Sequence, residues 1–253
     1  MNLPLVSIIT PCYNATSTIS QTIESVLAQT YGYWEMLIVD NCSTDNSASI
    51  VKSFVERDNR IKYLKTDRNS GSSAMPRNIA IENAKGEYIA MLDADDVWLP
   101  DKLAEQIDFI EKHHYDFVYS DYEKMTFDGM RNNRIIKGRA VSTYNNILGS
   151  NEIPCLTVLI RKKLFNNVRF EFDPPGREDW VVWLKLLKSG HNAYNTGKIH
   201  AVYRQAKTSL TGNKYAMIKK QWYVLRKIER IPFLTAVPHI LAYMCKGYIK
   251  YRK

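Results

Sequence analysis

Short apolar runs alternate with amphipathic stretches through the first half of the chain. Leu5 to Thr10, Met36 to Val39, Ile61 to Leu64, Tyr88 to Leu92 and Phe117 to Tyr119 read as strands, and their ends fall 25 to 29 residues apart. That interval fits one strand, one helix and two loops, the unit of a mostly parallel sheet with helices on both faces.

The helices between them are legible from their faces and ends. Thr18 and Gln21 give a capping-box pattern ahead of Ile19, Ile23, Val26 and Leu27 at helical spacing. Ile50, Val51, Phe54 and Val55 make a second buried stripe, with Lys52 and Glu56 facing out. A third helix spans about Ala74 to Ala84 and ends at Gly86, read as a left-handed cap. Pro100 sits where a first turn would begin, with Asp101 beside it at the positive end of the dipole. This leaves a loop between Leu92 and Pro100.

From Tyr122 to Ile153 no period holds, and such a stretch commonly shapes a specificity surface. Leu156 to Ile160 reads as a strand. Trp180, Trp183, Leu184 and Leu187 then mark a helix from about Glu178 to Lys188. Beyond Gly212 the chain reads as helical and basic, so the expected organisation is an α/β domain over residues 1–212 and an amphipathic extension over 213–253.

Charge sharpens that division. The whole 253-residue chain carries a formal +9, and the segment from Lys214 to Lys253 holds ten Lys or Arg against the single acid Glu229, leaving the body neutral. A neutral body argues against nucleic acid as a partner, which needs a basic groove. A basic tail with Trp222, Tyr223, Tyr243, Tyr248 and Tyr251 suits an anionic membrane surface; the alternative is a solvated helix with ordinary surface lysines. No apolar run reaches the roughly 18 residues of a spanning helix, Pro238 and His239 interrupting the apolar segment from Phe233 to Cys245. No signal-type stretch opens the chain. The expectation is a cytoplasmic protein, peripheral at the inner face of the cytoplasmic membrane. Cys12, Cys42, Cys155 and Cys245 show neither zinc-ligand spacing nor a CxxC pair and read as reduced thiols.

In open parallel sheets ligands bind beyond the carboxyl ends of the strands. Those positions here are polar: Pro11, Cys12, Tyr13 and Asn14 after the first strand, Asp40 to Ser43 after the second, Asp93 to Asp96 after the fourth. Asp93, Asp95 and Asp96 crowd three carboxylates into four residues, which requires a counter-charge or a raised pKa. Mg²⁺ or Mn²⁺ would supply that charge through one or two carboxylates and the phosphates of a substrate. The simpler alternative is helix capping by Asp95 or Asp96 beside a solvated acidic turn. Asp40, at the end of an apolar strand, could accept from a nucleobase N–H, or equally cap the helix after Ser43. No glycine-rich phosphate cradle occurs, which removes support for ATP hydrolysis and hydride transfer.

Taken in order, the runs from Val6 to Asn14, Ile38 to Asp45 and Gly86 to Asp96 resemble glycosyltransferase family 2, the inverting enzymes of GT-A (Rossmann-like) fold. Arg177-Glu178-Asp179-Trp180 resembles that family's Glu-Asp motif. The resemblance covers roughly residues 4–210, and the basic tail is similar to those of bacterial members that build surface polysaccharides. It implies a nucleotide-sugar donor, a UDP-sugar in the family's terms, and a glycan or lipid-linked acceptor. It implies that Pro11, Tyr13 and Asp40 line the uridine pocket, that Asp93 and Asp95 form the Asp-x-Asp motif with Asp96 adjacent, that Arg77 lies near the nucleotide, and that Asp179 is the general base. The Gln-x-x-Arg-Trp motif of processive members is absent, so transfer of one sugar is expected. On the residues alone, Asp179 reads as an acid in the first turn of a helix, favoured there by the dipole.

Two rivals follow. A sugar-nucleotide nucleotidyltransferase would open with a glycine-rich loop, whereas the loop after the first strand contains no glycine. A non-catalytic carbohydrate-binding protein would not need the ordered acids. Trp98 and Trp180 fit a sugar platform or a core, and Arg204 fits a phosphate contact or a surface ion pair.

Overall fold

A computed structural model describes the backbone at residues 3–205 and 214–252, and side chains at 3–205 and 215–244. Strands β1 (Val6–Cys12), β2 (Trp34–Asp40), β3 (Ile61–Lys65) and β4 (Tyr88–Met91) pair in parallel in the order β3-β2-β1-β4. Every residue of β2 and β4 is buried. That is the consequence of covering both faces, and the alternation along each strand shows how the two sides are divided. Val6, Ile8, Met36, Ile38, Tyr88 and Ala90 share one core with α1 (Ile19–Leu27), α2 (Ser47–Arg57) and α4 (Lys102–Lys112). Ile9, Leu37, Val39, Ile89 and Met91 share the other with α3 (Ala74–Asn83), α5 (Tyr144–Leu148) and α6 (Glu178–Lys188).

Beyond β4 the sheet is mixed rather than parallel. Its order continues through β9 (Leu159–Arg161), β6 (Phe117–Met125), β10 (Ala193–Arg204) and β5 (Val97–Trp98). β9 lies antiparallel to both β4 and β6, while β6 and β10 are parallel. The strand expected at 117–119 therefore does not neighbour β4.

Several local expectations are corrected. The stretch 122–153 is ordered: β6 runs on to Met125 and pairs with β7 (Arg131–Ile136), β8 (Val141–Ser142) pairs with β10, and Thr143 caps α5 through a capping box with Asn146. Cys155–Thr157 forms a 3-10 turn ahead of β9, so the strand placed at 156–160 begins three residues later. The loop between Leu92 and Pro100 contains β5, and Pro100 precedes the α4 cap residue Asp101, whose carboxylate accepts from Thr30 Oγ1 at 3.0 Å instead of capping the helix. Thr18 and Gln21 make no capping box; Thr18 Oγ1 donates to the Ala94 carbonyl at 2.9 Å, and Gln21 accepts from Arg204. Gly86 is not a left-handed cap: α3 ends at Asn83 with Ala84 extended. Glycine is needed there because a Cβ would lie 2.6 Å from the Leu5 carbonyl oxygen and from the Ser7 nitrogen.

The tail forms α7 (Lys214–Tyr223), a π-helical stretch at Val224–Ile228 and α8 (Phe233–Arg252). Val224, Leu225, Ile231 and Ala236 join the core around α6, and Gln221 Nε2 donates to the Leu148 carbonyl at 3.0 Å. Gly212 lies outside the described residues, as do the side chains of Cys245, Tyr248 and Tyr251. Among the described residues no helix is long and apolar enough to cross a membrane.

Candidate active site

β1 sits between β2 and β4, so the chain leaves it first to one side and later to the other, and a crevice opens at its carboxyl end. The loops there are stitched by side chains that accept backbone N–H groups. Asp45 accepts from Thr16 N–H at 3.1 Å, Ser47 Oγ from Ala15 N–H at 2.7 Å, and Asn14 Oδ1 from Thr44 N–H at 2.9 Å. Asn14 and Cys42 adopt positive φ of 49° and 60° to make these turns. Asn41 extends the seam: its Oδ1 accepts from Ser70 N–H at 3.0 Å and its Nδ2 donates to the Ser72 carbonyl at 3.3 Å, drawing the 69–73 loop to the crevice.

The result is a cavity of about 630 Å³ walled by Pro11 to Asn14, Asn41, the 69–73 loop, Arg77, Asp93 to Asp95, Phe127, Pro175, Gly176, Glu178 and Lys220. Its size is that of a small-molecule site. Pro11, Tyr13, Arg77, Asp93 and Asp95 thus meet in one place, as the sequence suggested.

Arg77 is buried and donates from Nη2 to Asp93 Oδ1 at 2.6 Å and from Nη1 to Ser73 Oγ at 2.6 Å. Burial alone would disfavour its charge, but Asp93, Cys155 and Asp179 outweigh that and hold the guanidinium firmly protonated. Asp95 projects into the cavity; withdrawal from bulk water and the neighbouring Asp93 push its carboxyl up to about 6. Asp96 points away from the cavity, buried, with Oδ1 accepting from the Arg204 N–H at 2.8 Å. Burial, then Asp95 and Asp93, drive its carboxyl well above the usual carboxylate range.

Arg204, at the end of β10, organises this corner. Its Nε donates to the Asp95 carbonyl at 2.7 Å and its Nη1 to the Phe127 carbonyl at 2.8 Å, while Nη2 donates to Gln21. It is buried, neither a surface ion pair nor a phosphate ligand. No local sequence signal could have shown this, because its partners lie 77 to 183 residues away. Trp98 and Trp180 are core residues, their indoles donating to the Leu156 and Ile147 carbonyls at 2.8 and 2.9 Å.

Asp40 lies behind the cavity wall. Its Oδ1 accepts from Ser43 N–H and its Oδ2 from the Tyr63 hydroxyl, both at 2.9 Å, so it shapes the turn that carries Asn41. Asp179, at the start of α6, is partly exposed and accepts from Asn151 Nδ2 at 2.9 Å and from Trp180 N–H at 2.7 Å. Burial raises its pKa against the opposing pull of Arg77. The cavity wall itself is formed by Glu178, whose pKa burial also raises. Glu178 belongs to the motif that singled out Asp179, and its exposure to the cavity is decided by how α6 enters the fold. Lys220 reaches the wall from α7 and donates to the Pro175 carbonyl at 2.7 Å.

Among the described residues no three His, Cys, Asp or Glu side chains converge as a metal-binding group, so the acids at 93, 95 and 96 do not form a three-carboxylate cage. The chemistry of the two acids that remain does fit a hard divalent cation. Two cations, Arg77 and Lys220, stand against three carboxylates, Asp93, Asp95 and Glu178, at the cavity, leaving negative charge for a cation that keeps part of its water and takes its other oxygens from a substrate.

Comparison with known proteins bears on the same region. The sequence model of Glycosyl transferase family 2 matches residues 7–168. WfgD of Escherichia coli, a UDP-Glc:alpha-D-GlcNAc-diphosphoundecaprenol beta-1,3-glucosyltransferase, is 40% identical over 252 residues, covering 98% of this chain and 95% of WfgD. Among solved structures, residues 1–349 of S. aureus TarS in complex with UDP-GlcNAc superpose with a TM-score of 0.72 at 20% identity, covering 96% of this chain and 72% of that one. The mannosyltransferase PcManGT from Pyrobaculum calidifontis, in complex with GDP-Man and Mn²⁺, gives 0.70 at 18% identity, with 97% and 75% covered. These likenesses carry the GT-A fold.

Proposed function

The chain belongs to glycosyl transferase family 2, and from that premise we propose that it transfers a single sugar, with inversion, from a UDP-sugar to a lipid-linked sugar acceptor in bacterial surface-polysaccharide assembly. One observation carries the reading: Arg77, Asp93 and Asp95 face a single cavity at the carboxyl ends of β1 and β4, beside the wall that holds Glu178. The donor and acceptor of WfgD, UDP-Glc and alpha-D-GlcNAc-diphosphoundecaprenol, support these two classes.

In this reading Pro11 and Tyr13 flank the donor base, and Asp40, behind the wall, fixes through Ser43 and Tyr63 the turn that carries Asn41 to the same pocket. Arg77 holds Asp93 in place, so that the pair is preorganised before the donor arrives. Asp93 and Asp95 would hold Mn²⁺ or Mg²⁺. When bound, the cation neutralises charge on the departing diphosphate. Asp96 acts indirectly, by locking the acidic turn onto β10 through Arg204.

A sugar hydroxyl is a weak nucleophile and must lose its proton as the new bond forms. Asp179 accepts that proton, and the burial that raises its pKa makes it a stronger base than an ordinary aspartate. Attack from the side opposite the diphosphate inverts the anomeric carbon. Glu178, beside it on the wall, orients the acceptor.

The test is a donor screen. Purified protein should release UDP from one member of a UDP-sugar panel only when a sugar-diphospho-polyprenyl acceptor is supplied. Release from none of them, or nucleotide exchange with sugar phosphate instead, would overturn the proposal.

A further inference from the structure

Among the described residues of α8, Leu234, Leu241 and Met244 make an exposed apolar face. Leu234 is 83% exposed, Phe233 57%, Leu241 56% and Met244 48%. Leu234 and Leu241 stand seven residues apart, two turns along one side of the helix. The opposite side is engaged: Ala236 is buried in the core, His239 and Ala242 pack over Gly149, and the Tyr243 hydroxyl accepts from Arg177 Nη2 at 2.8 Å.

The charge of the tail says what the free side meets. Its single acid, Glu229, is buried and accepts from Lys188 Nζ at 2.9 Å and from the Tyr144 hydroxyl at 2.6 Å, so it is compensated inside the fold. The ten Lys and Arg between Lys214 and Lys253 are then opposed by no other acid of the segment. A second copy docking by two-fold symmetry would bring like charge against like charge. An anionic bilayer offers apolar chains to the leucines and negative headgroups to the cations of the segment. Of the aromatic residues expected to anchor the tail, Trp222 packs edge-on against Phe233 and Tyr243 is engaged with Arg177.

We infer that the α8 face bearing Leu234, Leu241 and Met244 seats the protein on an anionic lipid surface and holds the cavity wall at that surface; the inference rests on the lipid-linked acceptor proposed above. The connection to the wall is direct. Arg177 precedes Glu178 in the chain, Lys220 of α7 holds Pro175, and the Tyr223 hydroxyl donates to Asp173 Oδ2 at 2.5 Å. The two tail helices thus grip the segment 173–177 beside the cavity. An acceptor sugar could enter there while its lipid stayed in the membrane.

Flotation of the full chain with phosphatidylglycerol-containing vesicles and with pure phosphatidylcholine vesicles tests this, with solution mass measured in parallel. The full chain should bind the anionic vesicles, and Leu234→Glu with Leu241→Glu should lower that binding about tenfold or more. The variant should keep its solution mass and its UDP-sugar binding, since neither side chain enters the core. Equal vesicle binding by variant and parent would overturn the inference, as would a parent dimer that the variant converts to monomer. Transfer to a detergent-solubilised lipid-linked acceptor without vesicle binding would remove the lipid seat alone. Vesicle binding without transfer to any acceptor would remove the transferase reading and leave the seat standing.

Discussion

Arg77 and Asp93 form a 2.6 Å ion pair in which the arginine side chain is 6% exposed and the aspartate, at 33%, looks into the cavity. Removing either partner is therefore unequal. Asp93→Asn leaves a buried guanidinium without its counter-charge and should cost about 3 kcal/mol of folding stability, readable by urea denaturation. Asp95→Asn relieves repulsion and should leave stability unchanged or raised, though both variants lose turnover.

The pH dependence of Asp95 follows from its pKa of about 6. Because this lies above the ~3.9 of an unfolded aspartate, the ionised group opposes folding, fully above pH 6 and less as pH falls towards 4. The stability gained by Asp95→Asn should accordingly be largest near neutrality and vanish in acid. Protons should also compete with metal at this carboxylate. The Mn²⁺ concentration for half-maximal activity should rise by up to about tenfold per pH unit below 6, and a flat profile would contradict the ligand role.

Glu178 and Asp179 are adjacent but differently placed, one on the wall and one on Asn151. Asp179→Asn should retain UDP-sugar affinity and lose 100-fold or more in kcat, in the range of about 10²–10⁴ expected for a general base. Glu178→Gln should chiefly raise the acceptor KM. The reverse pattern, with kcat lost at Glu178, would transfer the role of base to the wall residue.

Gly86→Ala should destabilise by about 2 kcal/mol, because the added methyl would meet the Leu5 and Ser7 backbone at 2.6 Å and not a side chain able to turn aside. A thermal melt indistinguishable from the parent would show that β1 and β4 can part there. No change in donor specificity is expected, since Gly86 does not line the cavity.

These expectations also mark what the sequence made legible. β1, β2, β4 and the acids behind them were readable because strands covered on both faces are continuous apolar runs, and the polar residues that follow stand out. β7 and β10 were not: β7 is almost wholly exposed, and β10 carries Asn195, Gly197 and Lys198 along an irregular edge. The insertion of β9 between β4 and β6 leaves no trace in strand spacing. At the site, residue types identified Asp93 and Asp95 and the family resemblance Arg77, whereas Arg204, Lys220 and the exposure of Glu178 depend on partners far along the chain. Asp96 looked like a third ligand by adjacency, and the turn directs it to the Arg204 backbone.

The central claim is that Asp93 and Asp95 bind the donor diphosphate through a divalent cation. It is tested most directly by titrating UDP into the EDTA-treated protein by calorimetry, with and without Mn²⁺, for the parent and for Asp95→Ala. The account predicts that Mn²⁺ tightens UDP binding strongly in the parent and not in the variant. Equal UDP affinity in all four titrations would contradict it.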